Sequence, residues 1–259
     1  YKYVANANAV TAAGGTDSFT YTIEDGDGDR STTTLTFTVK DSGLSTTPDD
    51  PNTAANPGNI TVDEAALGSG STPASNAETA GGALSATGGT GPYTYAIVGS
   101  GAGSFGTMTI GAGGTYSYTL TKATTDLAGN ETETFTYQVT DSLGNTATNT
   151  VVVNIADDVP TATADTASIT EGDTSTVLAA SGVLSNDVLG ADAGKAGGAV
   201  VGVKAGSSGT EVTTGVASAI AGTYGTLTLS ADGSYKYVAN ANAVTAAGGT
   251  DSFTYTIED

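Results

Sequence analysis

The sequence predicts an all-β protein made of tandem antiparallel β-sandwich modules. Three observations support this prediction: many β-branched and aromatic residues separated by Gly, Ser and Thr, apolar residues that alternate with polar ones, and internal repetition. The 259 residues include 37 glycines and no Cys, His or Trp. No apolar run approaches the roughly 20 residues that a helix needs to cross a bilayer, so we expect no membrane insertion.

The strongest internal repeat joins the two ends of the chain. Residues 1–25, YKYVANANAVTAAGGTDSFTYTIED, recur unchanged at 235–259. Within this period, ETFTYQVTDSLGNTAT (133–148) resembles DSFTYTIEDGDGDRST (17–32). Each period therefore contains two diverged modules of roughly 117 residues, which we call A and B. The sequence opens and closes inside a B-type module, so we expect an extended array that is incomplete at both ends.

The repeats place the module boundaries. We expect, in order, the second half of a B-type sandwich (1–40, the leading segment), an acidic linker (41–50), module A (51–156), an acidic linker (157–158) and module B (159–259). Module B stops before its last strand, whose counterpart in the leading segment is Ser31 to Val39. We therefore predict that the leading segment does not form a complete sandwich by itself.

Apolar side chains alternate along the predicted strands, as in Phe19, Tyr21 and Ile23. The same pattern recurs in Leu35, Phe37 and Val39, in Tyr93, Tyr95 and Ile97, and in Val151, Val153 and Ile155. Gly111 to Gly114 and 231–233 supply hairpin turns. About seven short strands per module indicate an Ig-like sandwich. A β-solenoid would need self-similarity about every 20–30 residues, which the sequence does not show.

The charge balance limits the possible partners. There are 27 acidic and 7 basic residues, for a net charge of −20. Nucleic acids and anionic membranes attract Lys and Arg, so neither is an expected partner. Without His or Cys the chain has no His-assisted triad, no cysteine nucleophile and no nitrogen- or sulfur-ligated zinc site. Hard cations, which prefer oxygen ligands, are the expected partners.

Acidic hairpins precede the last strand of each type of module. The B-type hairpin carries Asp25, Asp27 and Asp29, and its counterpart in module A carries Asp141 and Asn145. Three carboxylates at alternate positions repel one another unless a cation offsets their charge. Ca²⁺ accepts 6–8 oxygens in flexible geometry, which suits such a loop better than Mg²⁺ does. A polar hairpin turn without a metal is the alternative, since Asp and Gly favour turns.

The first linker adds further candidate ligands. In a sandwich, the hairpin that begins the last strand lies at the pole facing the preceding linker. We therefore expect Asp141 and Asn145 to meet Asp41, Asp49 and Asp50 of that linker.

The second linker carries the acidic pair Asp157 and Asp158, and the loop that follows Asp259 is expected to meet this pair. Glu64 and Glu171 each follow the first strand of their module. They are either further metal ligands or solvated surface residues. Acidic residues are thus predicted at every junction of the array.

The segments GTYGTLTLSADGSYKY and DSFTYTIEDGDGDRSTTTLTFTV, with VLSND (183–187), resemble the VCBS and cadherin-like repeats of giant RTX-type bacterial adhesins. The resemblance implies Ig-like extender domains that bind Ca²⁺ between neighbours, outside the cell or on the bacterial surface. By similarity to cadherins, Glu64 would join Asp157 and Asp158, and Glu171 would serve a junction outside this chain. DSLGN (141–145) departs from the pattern because it lacks the alternating acids.

These observations predict a non-enzymatic extender or stalk segment of a secreted or surface-anchored adhesin, of the kind found in biofilms, made rigid by Ca²⁺. Its expected partners are neighbouring copies of the repeat, in cis or in trans, and no small-molecule substrate is expected. Sugar hydrolysis by paired carboxylates is one alternative, and ice or carbohydrate binding by STTTLTFTV (31–39) is another. A third is an extracellular filament in which residues 26–39 complete the 159–259 sandwich of a neighbouring chain.

Overall fold

The structure is a computed structural model that describes residues 1–50, 58–124, 131–192 and 194–259. Strands and three short 3-10 turns make up its regular structure, which confirms the predicted all-β class. The chain divides into two compact units. The first comprises Tyr1–Thr61, Ala80–Thr119 and Thr132–Asn154, and the second comprises Val62–Thr79, Leu120–Glu131 and Ile155–Asp259. In the described residues, no helix is long and apolar enough to cross a membrane.

The leading segment is a two-stranded hairpin in the first unit. Strands β1 (Gly15–Glu24) and β2 (Arg30–Val39) pair antiparallel along their whole length. Tyr3 stacks on Phe37 with ring centroids 4.2 Å apart, and the Phe19 ring meets Phe37 edge-on. Phe19 nevertheless stays 50% exposed, because the hairpin presents much of its apolar face to solvent.

Module A contributes eight described strands in two four-stranded sheets. These are β3 (Ser45–Pro48), β4 (Ile60–Asp63), β5 (Thr79–Thr87), β6 (Thr94–Ile97), β7 (Gly106–Ile110), β8 (Thr115–Leu120), β9 (Glu131–Thr140) and β10 (Thr146–Ala156). The sheet orders are β3-β5-β8-β7 and β4-β10-β9-β6. Side chains from the two sheets meet in the first unit, where the hydroxyl oxygens of Thr46 and Tyr137 lie 3.2 Å apart. The predicted alternation is confirmed in β10, where Val151 and Val153 are fully buried, whereas Phe19, Tyr21 and Ile23 of β1 are exposed.

Strand β3 lies inside the segment that the sequence assigned to the first linker. It pairs antiparallel with β5, and the backbone N–H of Asp49 extends the pairing by donating to the carbonyl of Ala83 at 2.9 Å. Thr46 is buried, and its hydroxyl donates to the carbonyl of Ser85, so a polar residue fills this inward position. Residues 45–48 are therefore a strand rather than a linker. The predicted start of module A, at Pro51, lies outside the described residues.

Module B lies within the second unit. Its strands are β11 (Thr174–Val177), β12 (Val200–Ala205), β13 (Ala219–Ala221), β14 (Gly225–Leu229), β15 (Tyr235–Ala239) and β16 (Phe253–Ile257). They form a four-stranded sheet, β11-β15-β14-β13, and a two-stranded sheet, β12-β16. Between the sheets, Val200, Val203, Leu227 and Leu229 form a buried cluster. The three 3-10 turns are Glu64–Ala66, Ala179–Ser181 and Val183–Ser185.

Each module contains the same pairing of a carboxylate with a tyrosine. Glu133 is 8% exposed and accepts hydrogen bonds from the Tyr118 hydroxyl, at 2.5 Å, and from the backbone N–H groups at 104–105. In module B, Asp251 accepts from the Tyr237 hydroxyl at 2.6 Å and from two backbone N–H groups. Burial, followed by the contact with Asp251, raises the pKa of Tyr237 to about 12. These acids therefore have structural partners and need no ion.

Candidate metal centre

Glu64 is placed by the turn that ends strand β4. The side chain of Asp63 caps this turn by accepting from the backbone N–H of Ala65 at 2.9 Å. The turn directs Glu64 into the second unit, where its side chain is completely buried. Its Oε1 accepts from the backbone N–H of Thr124 at 2.7 Å, whereas Oε2 is buried and has no hydrogen-bond partner among the described residues. A buried carboxylate oxygen without a partner is costly unless a cation binds it.

Two further carboxylates lie beside Glu64. One oxygen from each of Glu64, Asp157 and Asp192 lies within 4.8 Å of the other two. Asp157 directly follows strand β10, and Asp192 belongs to the loop before β12. This loop is fixed by the Ser69 hydroxyl, which donates to the carbonyl of Ala191 at 3.0 Å. The fold therefore brings three carboxylates from distant parts of the sequence to one point.

Asp158 and Asp259 lie next to this cluster. Asp158 is buried and accepts from both the backbone N–H and the hydroxyl of Ser71, at 2.7 and 2.5 Å. The Oδ2 of Asp259 is buried without a hydrogen-bond partner among the described residues. Burial, together with the charges of Asp158 and Glu258, raises the pKa of Asp259. Asp259 thus lies near Asp158 of the second linker, while the loop expected to follow Asp259 is not part of this chain.

The electrostatics of Asp192 show how much negative charge has gathered here. Its pKa is raised to about 6, first by burial and then by the charges of Glu64, Asp259, Asp157 and Asp158. A divalent cation would offset this repulsion and lower the pKa of Asp192. Carboxylates in a loop-built, partly buried site are the oxygen ligands that Ca²⁺ accepts, so the residues present fit this ion.

The B-type hairpin holds the second group of three acids. Carboxylate oxygens of Asp25, Asp27 and Asp29 lie within 4.8 Å of one another, and all three residues are exposed. The Oδ1 of Asp25 accepts from the backbone N–H groups of Asp27, Gly28 and Asp29 at 3.0–3.3 Å. The pKa of Asp25 is lowered, first by its hydrogen bond with the Asp27 side chain and then by these amides. The turn conformation alone accounts for this geometry, so the alternative of a metal-free polar turn remains open.

The hairpin of module A has Leu143 and Asn145 at the positions of Asp27 and Asp29. Asp141 accepts from the backbone N–H groups of Thr90, Leu143 and Asn145, each at 2.9 Å. The side-chain Nδ2 of Asn145 donates to its Oδ2, also at 2.9 Å. The bond from Asn145 is the main cause that lowers the pKa of Asp141 to about 2. Asn145 therefore stabilises the charge of Asp141 without an ion.

The predicted meeting of Asp141 with Asp49 is not found. Asp49 accepts from the backbone N–H of Ala83 at 2.9 Å and from the Tyr116 hydroxyl at 3.3 Å. Asp141 instead binds Thr90, which lies beyond the far end of strand β5, at least about 13 Å along the chain from Ala83. The expectation was wrong because residues 45–48 form a strand that carries the chain from one pole to the other.

The other predicted ligands have contacts of their own. Asp50 follows Asp49, and its backbone N–H donates to the Asp49 carboxylate at 3.1 Å. Asp41 is exposed and lies beside Ser42, whose carbonyl accepts from the N–H of Gly89. Glu171 is exposed and accepts from the N–H of Val244 at 3.3 Å. Neither acidic triad of the described residues contains Asp41, Asp49, Asp50 or Glu171.

Asp192 is the candidate ligand that sequence reasoning missed. It stands in LGADAG (189–194), among Gly and Ala and without another acid within four residues. Only the path of its loop brings it to Glu64 and Asp157. The single signal available in the sequence was an acidic side chain in the long Gly-rich segment that separates VLSND from strand β12.

Comparisons with known proteins agree with this architecture. Residues 48–154 match the family model of a bacterial Ig domain, and residues 157–259 match that of a bacterial cadherin-like domain. No curated protein sequence matched the chain.

Several solved structures are similar to the chain at low identity. Protocadherin Gamma B2 extracellular cadherin domains 1-5 is 11% identical, with a TM-score of 0.33 over 93% of this chain and 49% of that one. The Protocadherin GammaB4 extracellular domain is 12% identical, with a TM-score of 0.34 over 93% and 41%. SGBP-B of the Bacteroides ovatus mixed-linkage glucan utilization locus, in complex with a mixed-linkage heptasaccharide, is 15% identical, with a TM-score of 0.24 over 83% and 46%.

The chain therefore spans half or less of each of these solved structures. The two family models together define the chain more closely. It carries, in tandem, a segment similar to the bacterial Ig domain and a segment similar to the bacterial cadherin-like domain.

Proposed function

We propose that this chain is a structural segment of an extracellular adhesion protein, and that Ca²⁺ bound by Glu64, Asp157 and Asp192 makes it rigid. The similarity to bacterial Ig and cadherin-like domains supports an extracellular structural or adhesion role. Domains of these kinds are generally non-enzymatic. The unchanged repeat of residues 1–25 supports a tandem array of the kind found in RTX-type adhesins, where neighbouring repeats are the partners.

One observation carries the calcium part of the proposal. The Glu64 side chain is fully buried, and its Oε2 has no hydrogen-bond partner among the described residues although two other carboxylates lie within 4.8 Å. Satisfied buried acids occur elsewhere in the chain, as at Glu133, so burial alone does not explain the arrangement. A divalent ion would bind Oε2 and offset the charges of Asp157 and Asp192 together.

The expected energy suits an extracellular site. A ligand that binds only the folded state stabilises it by about 0.4 kcal/mol when its concentration equals Kd and by about 2.7 kcal/mol at a hundredfold excess. Extracellular calcium modules typically have a Kd of about 10⁻⁴ to 10⁻³ M, near the calcium concentration outside cells. The net charge of −20 would keep a long array soluble and self-repelling, and bound calcium would lower that repulsion locally.

Calcium titration combined with small-angle X-ray scattering tests this proposal. We expect the wild-type chain to bind Ca²⁺ and its distribution of interatomic distances to narrow relative to EDTA. Glu64→Gln should lose both responses, whereas Glu211→Gln, which removes the same charge at an exposed site, should keep them. Equal calcium binding by the Glu64 and Glu211 variants would refute the site. Binding without any change in scattering would refute the rigidifying role.

A second candidate function is a filament built by strand addition. Residues 19–23 pair with 31–35 in β1 and β2, and the identical residues 253–257 form β16, whose one hydrogen-bonded neighbour in the described sheets is β12. Strand β2 of a second copy, once released from its own β1, would therefore fit the other edge of β16 in the register already seen in the hairpin. Sedimentation of the wild-type chain over a roughly hundredfold range of protein concentration tests this. A monomer at every concentration would exclude the filament. Thr34→Pro, which disrupts β2 pairing, should abolish any association seen.

A further inference from the structure

A loop of the leading segment contacts the hairpin of module A. Three hydrogen bonds join Asn8 to that hairpin, all within the first unit. The backbone N–H of Asn8 donates to Oδ1 of Asn145 at 3.1 Å, and its Nδ2 donates to the carbonyl of Gly144 at 3.3 Å. The backbone N–H of Thr146 in turn donates to Oδ1 of Asn8 at 2.8 Å. One side chain therefore both donates to and accepts from the same turn.

The groups that meet here carry no uncompensated charge. Asn145 donates its amide N–H to Asp141 and accepts from Asn8 with its amide oxygen, so the same side chain links the acidic turn to the loop. All three bonds to Asn8 involve neutral groups. Nothing in this contact requires a cation, in contrast to the cluster at Glu64.

The loop adopts its conformation without help from the hairpin. Asn8 has φ of 53°, in the left-handed region that Asn tolerates better than most residues. The second copy of the loop contains Asn242, which has φ of 55°. Asn242 is exposed and lies in module B, which carries no A-type hairpin of sequence DSLGN. Since both copies share one sequence and nearly one φ at this position, the left-handed turn does not depend on an A-type hairpin.

We propose that residues 5–10 form a metal-free latch, an interaction surface that holds an A-type hairpin (141–146) by amide hydrogen bonds. The duplicated loop at 239–244 has the same sequence and the same left-handed φ at Asn242, so this turn occurs twice in the chain. The latch suits the A-type turn. At the B-type turn the position of Asn145 is taken by Asp29, whose carboxylate lies among two others.

Hydrogen exchange of the Thr146 amide in the full chain tests the latch, because this N–H donates to Asn8. We expect its exchange in the wild type to be slow and to stay the same when EDTA replaces calcium. Asn8→Gly keeps the left-handed backbone but removes both side-chain bonds, and it should speed exchange about tenfold. Asn242→Gly is the matched control, with the same local sequence, and should leave Thr146 unchanged.

Two further readouts keep the result decisive. The amide of Val139, in the core of β9, should exchange equally in all variants, which shows that module A stays folded. Asn8→Asp retains the acceptor for Thr146 and should preserve most of its protection. Equal exchange of Thr146 in the wild type and Asn8→Gly would overturn the latch, and so would loss of its protection in EDTA. The Thr124 amide, which donates to Glu64, reports on the calcium site separately.

Discussion

The two acidic triads of the described residues look alike in composition but differ in solvation. Asp25, Asp27 and Asp29 lie on an exposed turn whose backbone amides already satisfy Asp25. Glu64 is fully buried beside Asp157 and Asp192 and has an oxygen with no hydrogen-bond partner among the described residues. Water screens the first group, whereas in the second it reaches the half-buried Asp157 and Asp192 but not Glu64. Burial, rather than the number of acids in a motif, thus separates a turn from a cation site.

Glu133 shows that burial is also insufficient on its own. This carboxylate is also buried, yet a tyrosine hydroxyl and two backbone N–H groups donate hydrogen bonds to it. The distinguishing property of Glu64 is therefore a combination of burial, like charges nearby and a missing hydrogen-bond partner. Each prediction below changes one of these three properties.

The largest effect is expected at Glu64. In calcium at about a hundredfold excess over Kd, the wild type should gain about 2.7 kcal/mol in the free energy of unfolding relative to EDTA. Glu64→Gln should lose most of this gain. In EDTA the same variant should be more stable than the wild type, because it removes one of three crowded negative charges. Thermal unfolding with and without calcium measures both differences. The wild type should be the more stable protein in calcium, and Glu64→Gln the more stable protein in EDTA.

Glu211→Gln is the control for the loss of charge. It should shift stability equally in calcium and in EDTA, since Glu211 is exposed. If the Glu64 and Glu211 variants respond alike to calcium, the buried triad does not bind the ion that stabilises the chain.

The next effect is expected at a buried acid that has its partners. Tyr118→Phe removes the hydroxyl that donates to Glu133 at 2.5 Å and leaves a buried oxygen unpaired. We expect a loss of about 1–3 kcal/mol in the free energy of unfolding. Calcium should not restore it, because Glu133 belongs to neither acidic triad. Tyr237→Phe should cost less, since its partner Asp251 is only half-buried. Urea unfolding of both variants in EDTA and in calcium gives the comparison.

Much of the architecture could be predicted, because the alternation of apolar and polar residues in a strand is visible within a few consecutive residues. Alternating residues such as Val151, Val153 and Ile155 are buried as expected. The approach of Glu64 to Asp157 also matched the arrangement implied by the resemblance to cadherins. The first follows from local strand periodicity, whereas the second joins residues 93 positions apart and was available only through the resemblance.

What could not be predicted depends on the path of the chain. Asp192 joins the cluster because its loop folds back to Ser69, a contact across more than a hundred residues that no local pattern records. Asp49 was assigned to the wrong pole because the four residues of β3 looked like a Thr-rich linker. A strand that short carries too few alternating positions to be recognised from sequence alone.

A smaller effect concerns the pH dependence of the metal-free protein. The pKa of Asp192 is raised to about 6 from an ordinary value of 3.8, so the fold favours its neutral form. Its contribution to stability is then full below pH 3.8 and is lost as the pH rises to about 6 and beyond. We expect Asp192→Asn to remove this loss in EDTA. The difference between wild-type and variant melting temperatures, measured from pH 4 to pH 7, should grow with pH. A constant difference would show that Asp192 ionises normally.

The smallest effect is expected at the exposed triad. Replacing Asp27 and Asp29 with Asn removes two charges but leaves Asp25 to accept the backbone amides of the turn. Because these side chains are exposed, we expect the free energy of unfolding to change by less than about 0.5 kcal/mol, and the calcium response of the chain to persist. Calorimetric titration of this double variant beside Glu64→Gln measures the contribution of each triad. If the double variant lost the calcium response and Glu64→Gln kept it, solvation would not be what distinguishes the two triads, and the exposed turn would be the site.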